Sequence, residues 1–280
     1  MTLGFDDNEL RFLPFKASVT KPLVISLVGG GGKTSTVFWL ANQFKKKGHH
    51  VFVSTTTKMY LPDSEQTDNF INLHDTNEQL ITYQHLNLLE PSITFCYKNK
   101  IKTDSKNNKI KVSGVTSQFI DNLKNDSPFT VFIIESDGAK CLPIKAPNRH
   151  EPCIPNTSDI VIGVTGAEII HTRAIPERIH RWDTFSALTQ CLDGELIDHR
   201  VLGNLIEHQH GMFKHAPKDA IKIWLINKLD LATDYDKIVT LANKIISQTT
   251  TLDAIWLATM NSHTPIKDVL TRNSPIKRSS

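Results

Sequence analysis

The apolar positions of this chain fall into short continuous runs that are bounded by polar residues or by glycine. Runs of this length and composition are typical of strands buried on both faces of a parallel sheet. The runs that we predict to be strands are 23–28, 51–54, 130–134, 159–164, 222–226 and 254–258.

Between several of these runs the apolar residues recur at the three- and four-residue spacing of a helix. A helix is predicted from Thr34 to Lys47, where Gly48 supplies a stop signal, and another over 201–208 behind an Asp198 cap. Further helices are predicted over 185–192 and 238–246. Strands that alternate with helices predict an α/β fold, with a mostly parallel sheet covered by helices on both faces.

We expect residues 1–280 to form one domain, with the more polar segment 62–126 as a small inserted subdomain. This segment contains a capping-box start at Asp75 and Glu78, and its lysine-rich part, 93–112, predicts a hairpin. Residues 271–280 are polar and are expected to be a frayed tail.

The charge of the chain is nearly balanced, since 32 Lys and Arg face 29 Asp and Glu for a formal charge of +3 over 280 residues. This small surplus argues against binding to nucleic acid or to an anionic membrane, which relies on clustered basic residues. No apolar run approaches the roughly 20 residues of a transmembrane helix, and the N-terminus carries acids where a signal peptide carries bases. The 4 cysteines form no CxxC pair, so we expect a cytoplasmic protein with reduced thiols.

The strongest motif is VGGGGKTS at 28–35, between a predicted strand and a predicted helix. Glycines let backbone N–H groups come close to a phosphate at the positive end of the following helix. Lys33 would contact the β and γ phosphates, Thr34 would offer its hydroxyl to Mg²⁺, and Ser35 follows. Leu27 stands where the longer phosphate loop has glycine, so the fit is to a shorter GxxGKT form, similar to the loop of Mur-type ligases and some metallocentre-maturation NTPases. The glycines concerned are Gly29, Gly30, Gly31 and Gly32.

A second motif is the strand at 130–134 that runs directly into the acids Glu135 and Asp137. Because they are two positions apart, both are expected to project toward the crevice where parallel sheets bind ligands. One would hold Mg²⁺ and the other would orient the attacking water or a substrate group, and the sequence leaves these roles interchangeable. Thr56 and Thr57 end the second strand at the same edge, where their hydroxyls would meet phosphate or Mg²⁺, although threonine is also an ordinary strand residue.

The tetrad Asn227-Lys228-Leu229-Asp230 follows another predicted strand and has the NKxD form that reads guanine in GTPases. The aspartate accepts hydrogen bonds from the guanine ring N–H and the exocyclic amine, the asparagine contacts the other edge, and the lysine stem covers the base plane. The tetrad therefore favours GTP over ATP. The structural alternative is a strand that leads into a capped helix.

Taken together, these motifs resemble the YqeC family of selenium-dependent hydroxylase accessory proteins. The resemblance spans about residues 23–230 and implies a role in maturing selenium-dependent molybdenum hydroxylases, with such a hydroxylase or its cofactor-assembly proteins as partners. The segments that carry it are VGGGGKTS (28–35), STTTKM (54–59), ESDGAK (135–140), PIKAPNRHEPCIP (143–155), IGVTG (162–166), HGMFKHAP (210–217) and NKLD (227–230).

The proline-punctuated segment after the acids holds candidates for a lid or for substrate contacts. These are Lys145, Arg149, His150 and Glu151, and farther along His180 and Arg181, which would present cations to a phosphate. A solvated connector is the alternative for this segment. Cys141 and Cys153 flank it without ligand spacing, and we assign them no role.

The sequence therefore predicts a P-loop NTPase-like protein that binds a nucleoside triphosphate with Mg²⁺ and hydrolyses it slowly, to drive maturation of a selenium-containing molybdenum hydroxylase. Two alternatives stay open. One is a Mur-like ATP-dependent ligase or small-molecule kinase, and the other is a nucleotide-switched binding chaperone with negligible turnover.

Overall fold

The computed structural model of the protein describes residues 22–73, 83, 86, 88–104 and 109–272. The predicted capping box at Asp75 and Glu78 and the tail from residue 273 onward lie outside the described residues. Within the described part of the chain, no helix is long and apolar enough to cross a membrane.

The described chain alternates strands and helices along most of its length. The strands are β1 (Leu23–Gly29), β2 (Val51–Thr55), β3 (Lys58–Tyr60), β4 (Asn69–Asn72), β5 (Ile93–Tyr97), β6 (Asn99–Asp104), β7 (Lys109–Ser113), β8 (Val131–Glu135), β9 (Ile144–Lys145), β10 (Ile160–Gly166), β11 (Ile179–His180), β12 (Ile221–Asn227), β13 (Ala254–Ala258) and β14 (Ile266–Thr271). The α-helices are α1 (Lys33–Lys46), α2 (Ser117–Leu123), α3 (Trp182–Thr189), α4 (His199–Glu207) and α5 (Tyr235–Gln248).

A 9-stranded sheet has the order β14-β13-β12-β10-β1-β8-β2-β5-β4. Its neighbouring strands pair in parallel, except for β13 and β14, which are antiparallel. The predicted strands are thereby confirmed as β1, β2, β8, β10, β12 and β13. Strand β1 lies between β8 and β10. The strands from β2 to β8 are on one side of β1 in the main sheet, and β10 and the later strands are on its other side, so the direction of strand addition reverses at β1. The crevice for a ligand is expected at the carboxyl ends of these central strands.

Helices cover both faces of the sheet, as the alternation of elements predicts. On one face α1 packs against alternate residues of the central strands, such as Ile25 and Leu27. On the other face α2 packs against Phe132, and α3, α4 and α5 share a core with Trp224. The apolar strands therefore bury side chains on both faces, which is why their sequences do not alternate with polar residues.

The predicted helix ends are confirmed in part. Asp198 caps α4, since its carboxylate accepts hydrogen bonds from the N–H groups of Arg200 and Val201. Helix α3 spans Trp182–Thr189 and not 185–192, because the backbone turns left-handed at Gln190 and ends the helix there.

The segment 62–126 divides between the main sheet and a smaller one. Strands β4 and β5 extend the main sheet, while β6 and β7 form a 3-stranded antiparallel sheet with β3. The prediction of one hairpin over 93–112 is wrong for its first part, since Ile93–Tyr97 is buried along its whole length and pairs in parallel with β2. A strand that is apolar on both faces enters the core, and the hairpin begins only at β6.

Candidate functional site

A cleft of about 960 Å³ opens at the carboxyl ends of β1, β2 and β8, and it is the candidate functional site. The glycine loop and the start of α1 form one side of it, and residues that follow β2 and β8 form another. Predicted site residues that line the cleft are Gly31, Gly32, Lys33, Thr34, Ser35, Thr56, Thr57, Glu135, Glu151, His180, Arg181 and Lys228.

The loop after β1 requires glycine for steric reasons. Gly31 has a φ of 78°, and a β-carbon at this position would lie 2.2 Å from the backbone nitrogen of Gly166. Gly32, with a φ of 118°, is the cap from which α1 begins at Lys33. A side chain at either position would strain the backbone, and at Gly31 it would also push β1 away from the end of β10.

Three amides of the glycine loop already donate hydrogen bonds within the protein. The amide of Gly29 donates to the carboxylate of Asp137 at 3.0 Å. The amides of Gly30 and Gly31 donate to the carbonyls of Val164 and Leu142, at 2.9 and 3.0 Å. The first amides of a helix have no intrahelical acceptor. In α1 these belong to residues that line the cleft, from Lys33 to Ser35. Donors for an anion therefore come from the start of α1, and the glycines hold the loop in place.

Lys33 connects the glycine loop to both predicted acids. Its ammonium donates a hydrogen bond of 2.6 Å to the carbonyl of Gly29 and lies 3.2 Å from Asp137 and 3.9 Å from Glu135. Burial alone would lower the pKa of Lys33, but the two carboxylates outweigh burial and raise it. Lys33 is therefore charged at neutral pH.

Glu135 and Asp137 differ in their surroundings although they are two positions apart. Glu135 lines the cleft, and its Oε2 accepts a hydrogen bond of 2.8 Å from the hydroxyl of Thr34. Burial raises the pKa of Glu135 in spite of the neighbouring Lys33. Asp137 is 2% exposed and is held by the amide of Gly29 and by the ammonium of Lys145 at 3.0 Å. Glu135 is thus placed toward a ligand, whereas Asp137 is enclosed by protein groups.

Thr56 and Thr57 extend the same edge after β2. The hydroxyl of Thr56 donates a hydrogen bond of 2.8 Å to the carbonyl of Cys153, and the hydroxyl of Thr57 lies 3.3 Å from that of Thr55. Both residues line the cleft. The register of β2 and β8 sets Thr55 beside Glu135, so these hydroxyls stand near the acidic end of β8.

The segment after the acids contributes a charged network. The ammonium of Lys145 is 2.7 Å from Glu151, which also binds Arg181 at 2.8 Å. Burial would raise the pKa of Glu151, but Arg181 and Lys145 lower it below its ordinary value. Burial, followed by the charges of Arg181, Lys145 and Lys140, lowers the pKa of His180 to about 4. His180 is therefore neutral at pH 7.

Three candidates of this segment do not line the cleft, namely the buried Lys145 and two residues on the surface. Arg149 and His150 are exposed and are not among the residues that line it. The carbonyl of Arg149 accepts a hydrogen bond of 2.9 Å from Lys214, and the amide of His150 donates one of 2.9 Å to Asn148. The contact of His150 is local, whereas that of Arg149 joins this loop to a residue 65 positions farther along the chain.

The predicted base-reading tetrad is divided in the structure. Asn227 is buried and its side chain bonds to the carbonyl of Gly31 at 2.8 Å and to the amide of Met260 at 2.9 Å. The ammonium of Lys228 lines the cleft and is 2.7 Å from Glu168. Asp230 is exposed and does not line the cleft.

Sequence reasoning missed several residues of the cleft. Lys111 and Tyr60 come from the small sheet, and Lys140 and Cys141 come from the loop after Asp137. The alternation of polar and apolar residues around Tyr60 and Lys111 is the signal that could have indicated an exposed sheet face. Their place in this cleft depends on how the small sheet packs on the main one.

Comparison with known proteins identifies the family to which this chain belongs. Residues 25–183 match the family model described as "YqeC protein". A curated relative from Escherichia coli (strain K12), named "Uncharacterized protein YqeC", is 34% identical over 246 residues, which are 88% of this chain and 91% of that protein. The chain belongs to the YqeC family. The family that the motifs indicated is thereby confirmed.

The YqeC family model covers a continuous part of the site. Residues 25–183 include the glycine loop, the acids after β8 and the network of Lys145, Glu151 and Arg181. The tetrad from Asn227 to Asp230 follows the matched range.

Proposed function

We propose that this YqeC-family protein has a P-loop NTPase-like site that binds a nucleoside triphosphate with Mg²⁺ and hydrolyses it slowly. The observation that carries the proposal is the hydrogen bond of 2.8 Å between the Thr34 hydroxyl and Glu135, directly beside the buried ammonium of Lys33. A cation, a hydroxyl and a carboxylate thus meet at the start of a helix, where the helix dipole also favours an anion.

The phosphates would be bound by the first amides of α1 and by Lys33. Since Lys33 lies against Asp137 and Glu135, an arriving phosphate would compete with these carboxylates for its ammonium. A cation bound to the carboxylates would neutralise part of their charge and so weaken their attraction for the ammonium of Lys33. Nucleotide binding is therefore expected to depend on Mg²⁺.

The oxygen atoms of Thr34 and Glu135 fit a magnesium site. Mg²⁺ prefers hard oxygen ligands, often one or two carboxylates together with water and substrate phosphates. Bound there, the ion would neutralise charge that develops on the phosphates. Asp137 is enclosed by Lys33, Lys145 and the amide of Gly29, and we assign it a positioning role or a contact to Mg²⁺ through water.

Glu135 would take both acidic roles, holding Mg²⁺ together with Thr34 and orienting the attacking water, because it is the acid that lines the cleft. Asp137 would act through Lys33, by holding the ammonium at the glycine loop. Both acids are buried, so this division of roles follows from their different partners and from the fact that Glu135 alone of the two lines the cleft.

The base is proposed to be guanine, with Asp230 as its reader and the stem of Lys228 beside the ring plane. Asn227 supports this site by holding Gly31 in place. The preference for GTP over ATP rests on the NKLD tetrad.

The biological role proposed for this activity is maturation of selenium-dependent molybdenum hydroxylases. Its support is the motif resemblance to the accessory proteins of these enzymes together with membership of the YqeC family. A molybdenum hydroxylase or its cofactor-assembly proteins would be the partners.

A small-molecule kinase or a Mur-like ligase is the second candidate. It is favoured by the size of the cleft, since about 960 Å³ is near the upper end of the roughly 300–1,000 Å³ of small-molecule sites. ADP or GDP formation that requires an added acceptor molecule would distinguish it from simple hydrolysis.

A thermal-shift titration tests the proposal, with GTP, GDP, ATP and ADP, each with and without Mg²⁺. A ligand that binds only the folded state at 100 times its Kd stabilises it by about 2.7 kcal/mol. We expect Mg²⁺-dependent stabilisation by GTP in the wild type and none in Lys33→Ala, with circular dichroism to check folding. The exposed Lys46→Ala is the control for loss of a lysine. Absence of any nucleotide effect in the wild type would refute the proposal.

A further inference from the structure

The small sheet presents a basic face to the cleft. In the register of β3 and β7, Met59 is opposite Val112 and Tyr60 is opposite Lys111. Met59 and Val112 are 4% and 0% exposed and belong to the core. Because side chains alternate along a strand, Tyr60 and Lys111 face away from that core, and both line the cleft together with Lys58.

A fourth residue joins this face from the loop after Asp137. Lys140 and Cys141 both line the cleft and have left-handed backbones, with φ of 50° and 62°. Such conformations are strained for residues other than glycine, and they collect at functional sites. The same loop is joined to the glycine loop by a hydrogen bond that the amide of Gly31 donates to the carbonyl of Leu142. The position of Lys140 is thus tied to the site that we assign to the nucleotide.

The lysines of this face differ from the other cations of the cleft in their charge balance. Lys33, Lys228 and Arg181 each have a carboxylate partner within 4 Å. Across residues 22–73, 83, 86, 88–104 and 109–272, no carboxylate forms an ion pair with Lys58, Lys111 or Lys140. The ammonium of Lys111 instead lies 5.8 Å from the ring centre of Tyr60.

An excess of positive charge in a concave site attracts an anion. For the whole chain the formal charge is only +3, so three uncompensated lysines around one cleft are a local concentration of charge. Ammonium groups act as point charges that bind phosphate without a fixed fork geometry. A dianionic phosphate monoester suits them better than a carboxylate with its single charge.

We propose that the face formed by Lys58, Tyr60, Lys111 and Lys140, here named the lysine face, binds the phosphate group of a second small molecule. This inference rests on the proposed function in that the second ligand would share the cleft with a nucleotide at the start of α1. The cleft is concave and near the upper end of the size range of small-molecule sites. These features favour a phosphorylated small molecule over the flat surface of a protein partner.

The experiment is a calorimetric titration with phenyl phosphate as the probe and benzoate as its carboxylate counterpart. It is run on the full chain, both alone and saturated with GDP and Mg²⁺. The double variant Lys58→Gln/Lys111→Gln removes two cations of the lysine face. The control Lys46→Gln/Lys244→Gln makes the same charge change at exposed positions of α1 and α5 that do not line the cleft.

We expect phenyl phosphate to bind the wild type in both states and the Lys58→Gln/Lys111→Gln variant at least about tenfold more weakly, since hydrogen bonds to charged groups are lost. The control variant should match the wild type, and GDP affinity should change less than about twofold in either variant. A thermal unfolding curve of the variant shows whether it is folded.

Several outcomes would overturn the inference. These are no binding of phenyl phosphate at millimolar concentration, preference for benzoate, competition between phenyl phosphate and GDP, or an equal loss of GDP affinity in the lysine-face variant. Failure of the proposed function looks different. In that case GDP and GTP do not bind, while phenyl phosphate still binds the wild type and is weakened in the variant, which supports the lysine face alone.

Discussion

The side-chain amide of Asn227 donates a hydrogen bond of 2.8 Å to the carbonyl of Gly31, and its oxygen accepts one of 2.9 Å from the amide of Met260. One buried residue at the end of β12 therefore fixes the glycine loop after β1 and the segment after β13. Asn227 of the predicted tetrad thus supports the glycine loop, whereas Asp230 is exposed outside the cleft and its contact to a base stays a proposal.

Asn227→Ala is expected to destabilise the protein. It leaves the carbonyl of Gly31 and the amide of Met260 buried without their partner, at about 1–3 kcal/mol for each group. We expect the free energy of unfolding, measured by urea denaturation, to fall by about 2–4 kcal/mol. The half-buried Asn204 donates one side-chain hydrogen bond, to the carbonyl of Thr189, so Asn204→Ala is a control with a smaller expected loss. Equal losses in the two variants would contradict the supporting role of Asn227.

Asp230→Asn should change base preference without changing stability. Asp230 is exposed, and surface substitutions usually alter stability by less than about 0.5 kcal/mol. If Asp230 accepts hydrogen bonds from guanine, the amide should weaken GTP binding and leave ATP binding as it was. Competition between the two nucleotides measures the ratio of affinities. An unchanged ratio would remove the guanine assignment but not the phosphate site.

Gly31→Ala and Gly203→Ala make the same chemical change at two different kinds of position. At Gly31 the added carbon would meet the nitrogen of Gly166 at 2.2 Å on a left-handed backbone, whereas at Gly203 in α4 it meets nothing within 4 Å. We expect Gly31→Ala to lose more than about 2 kcal/mol of stability and to abolish nucleotide binding. Gly203→Ala should gain about 0.5–1 kcal/mol through helix propensity. Urea denaturation checks both, and a tolerated Gly31→Ala would contradict the described loop geometry.

The local parts of this site could be predicted from the sequence. The strand, the glycines and the helix that starts at Lys33 are consecutive, so the pattern of apolar residues and glycines indicates them directly. Glu135 follows its own strand in the same way. The helices on both faces and the parallel sheet also follow from the alternation of patterns.

The long-range parts could not be predicted from sequence pattern. The bond between Asn227 and Gly31 joins residues 196 positions apart, and the cleft position of Lys111 depends on the packing of the small sheet. Sequence spacing also placed Glu135 and Asp137 in equivalent positions. Only the contacts of Asp137 with Gly29 and Lys145 show that it is enclosed while Glu135 faces the cleft.

His180 gives the protein a predicted pH dependence. Burial and the charges of Arg181, Lys145 and Lys140, opposed by Glu151, lower the pKa of His180 to about 4. In the unfolded chain a histidine has a pKa of about 6.5, so between these values the unfolded state binds more protons. The stability contributed by neutral His180 is complete above about pH 6.5 and is lost as the pH falls toward 4.

Urea denaturation of the wild type and of His180→Gln at about pH 7 and pH 5 measures this effect. Glutamine keeps polarity without titrating, so the variant should lose less stability than the wild type over this range. The remaining histidines are common to both proteins and cancel in the comparison. An equal loss of unfolding free energy in the two proteins would show that the pKa of His180 is not lowered by folding.

The central claim is that Thr34 and Glu135 form a magnesium-dependent phosphate site beside Lys33. The most direct measurement is a calorimetric titration of GTP into the wild type and Thr34→Val, each with and without Mg²⁺, and with Thr34→Ser as the variant that keeps the hydroxyl. We predict that Mg²⁺ strengthens GTP binding at least about tenfold in the wild type and in Thr34→Ser, and has little effect in Thr34→Val. If GTP does not bind the wild type, or binds it equally strongly with and without Mg²⁺, the magnesium-dependent site at Thr34 and Glu135 is contradicted.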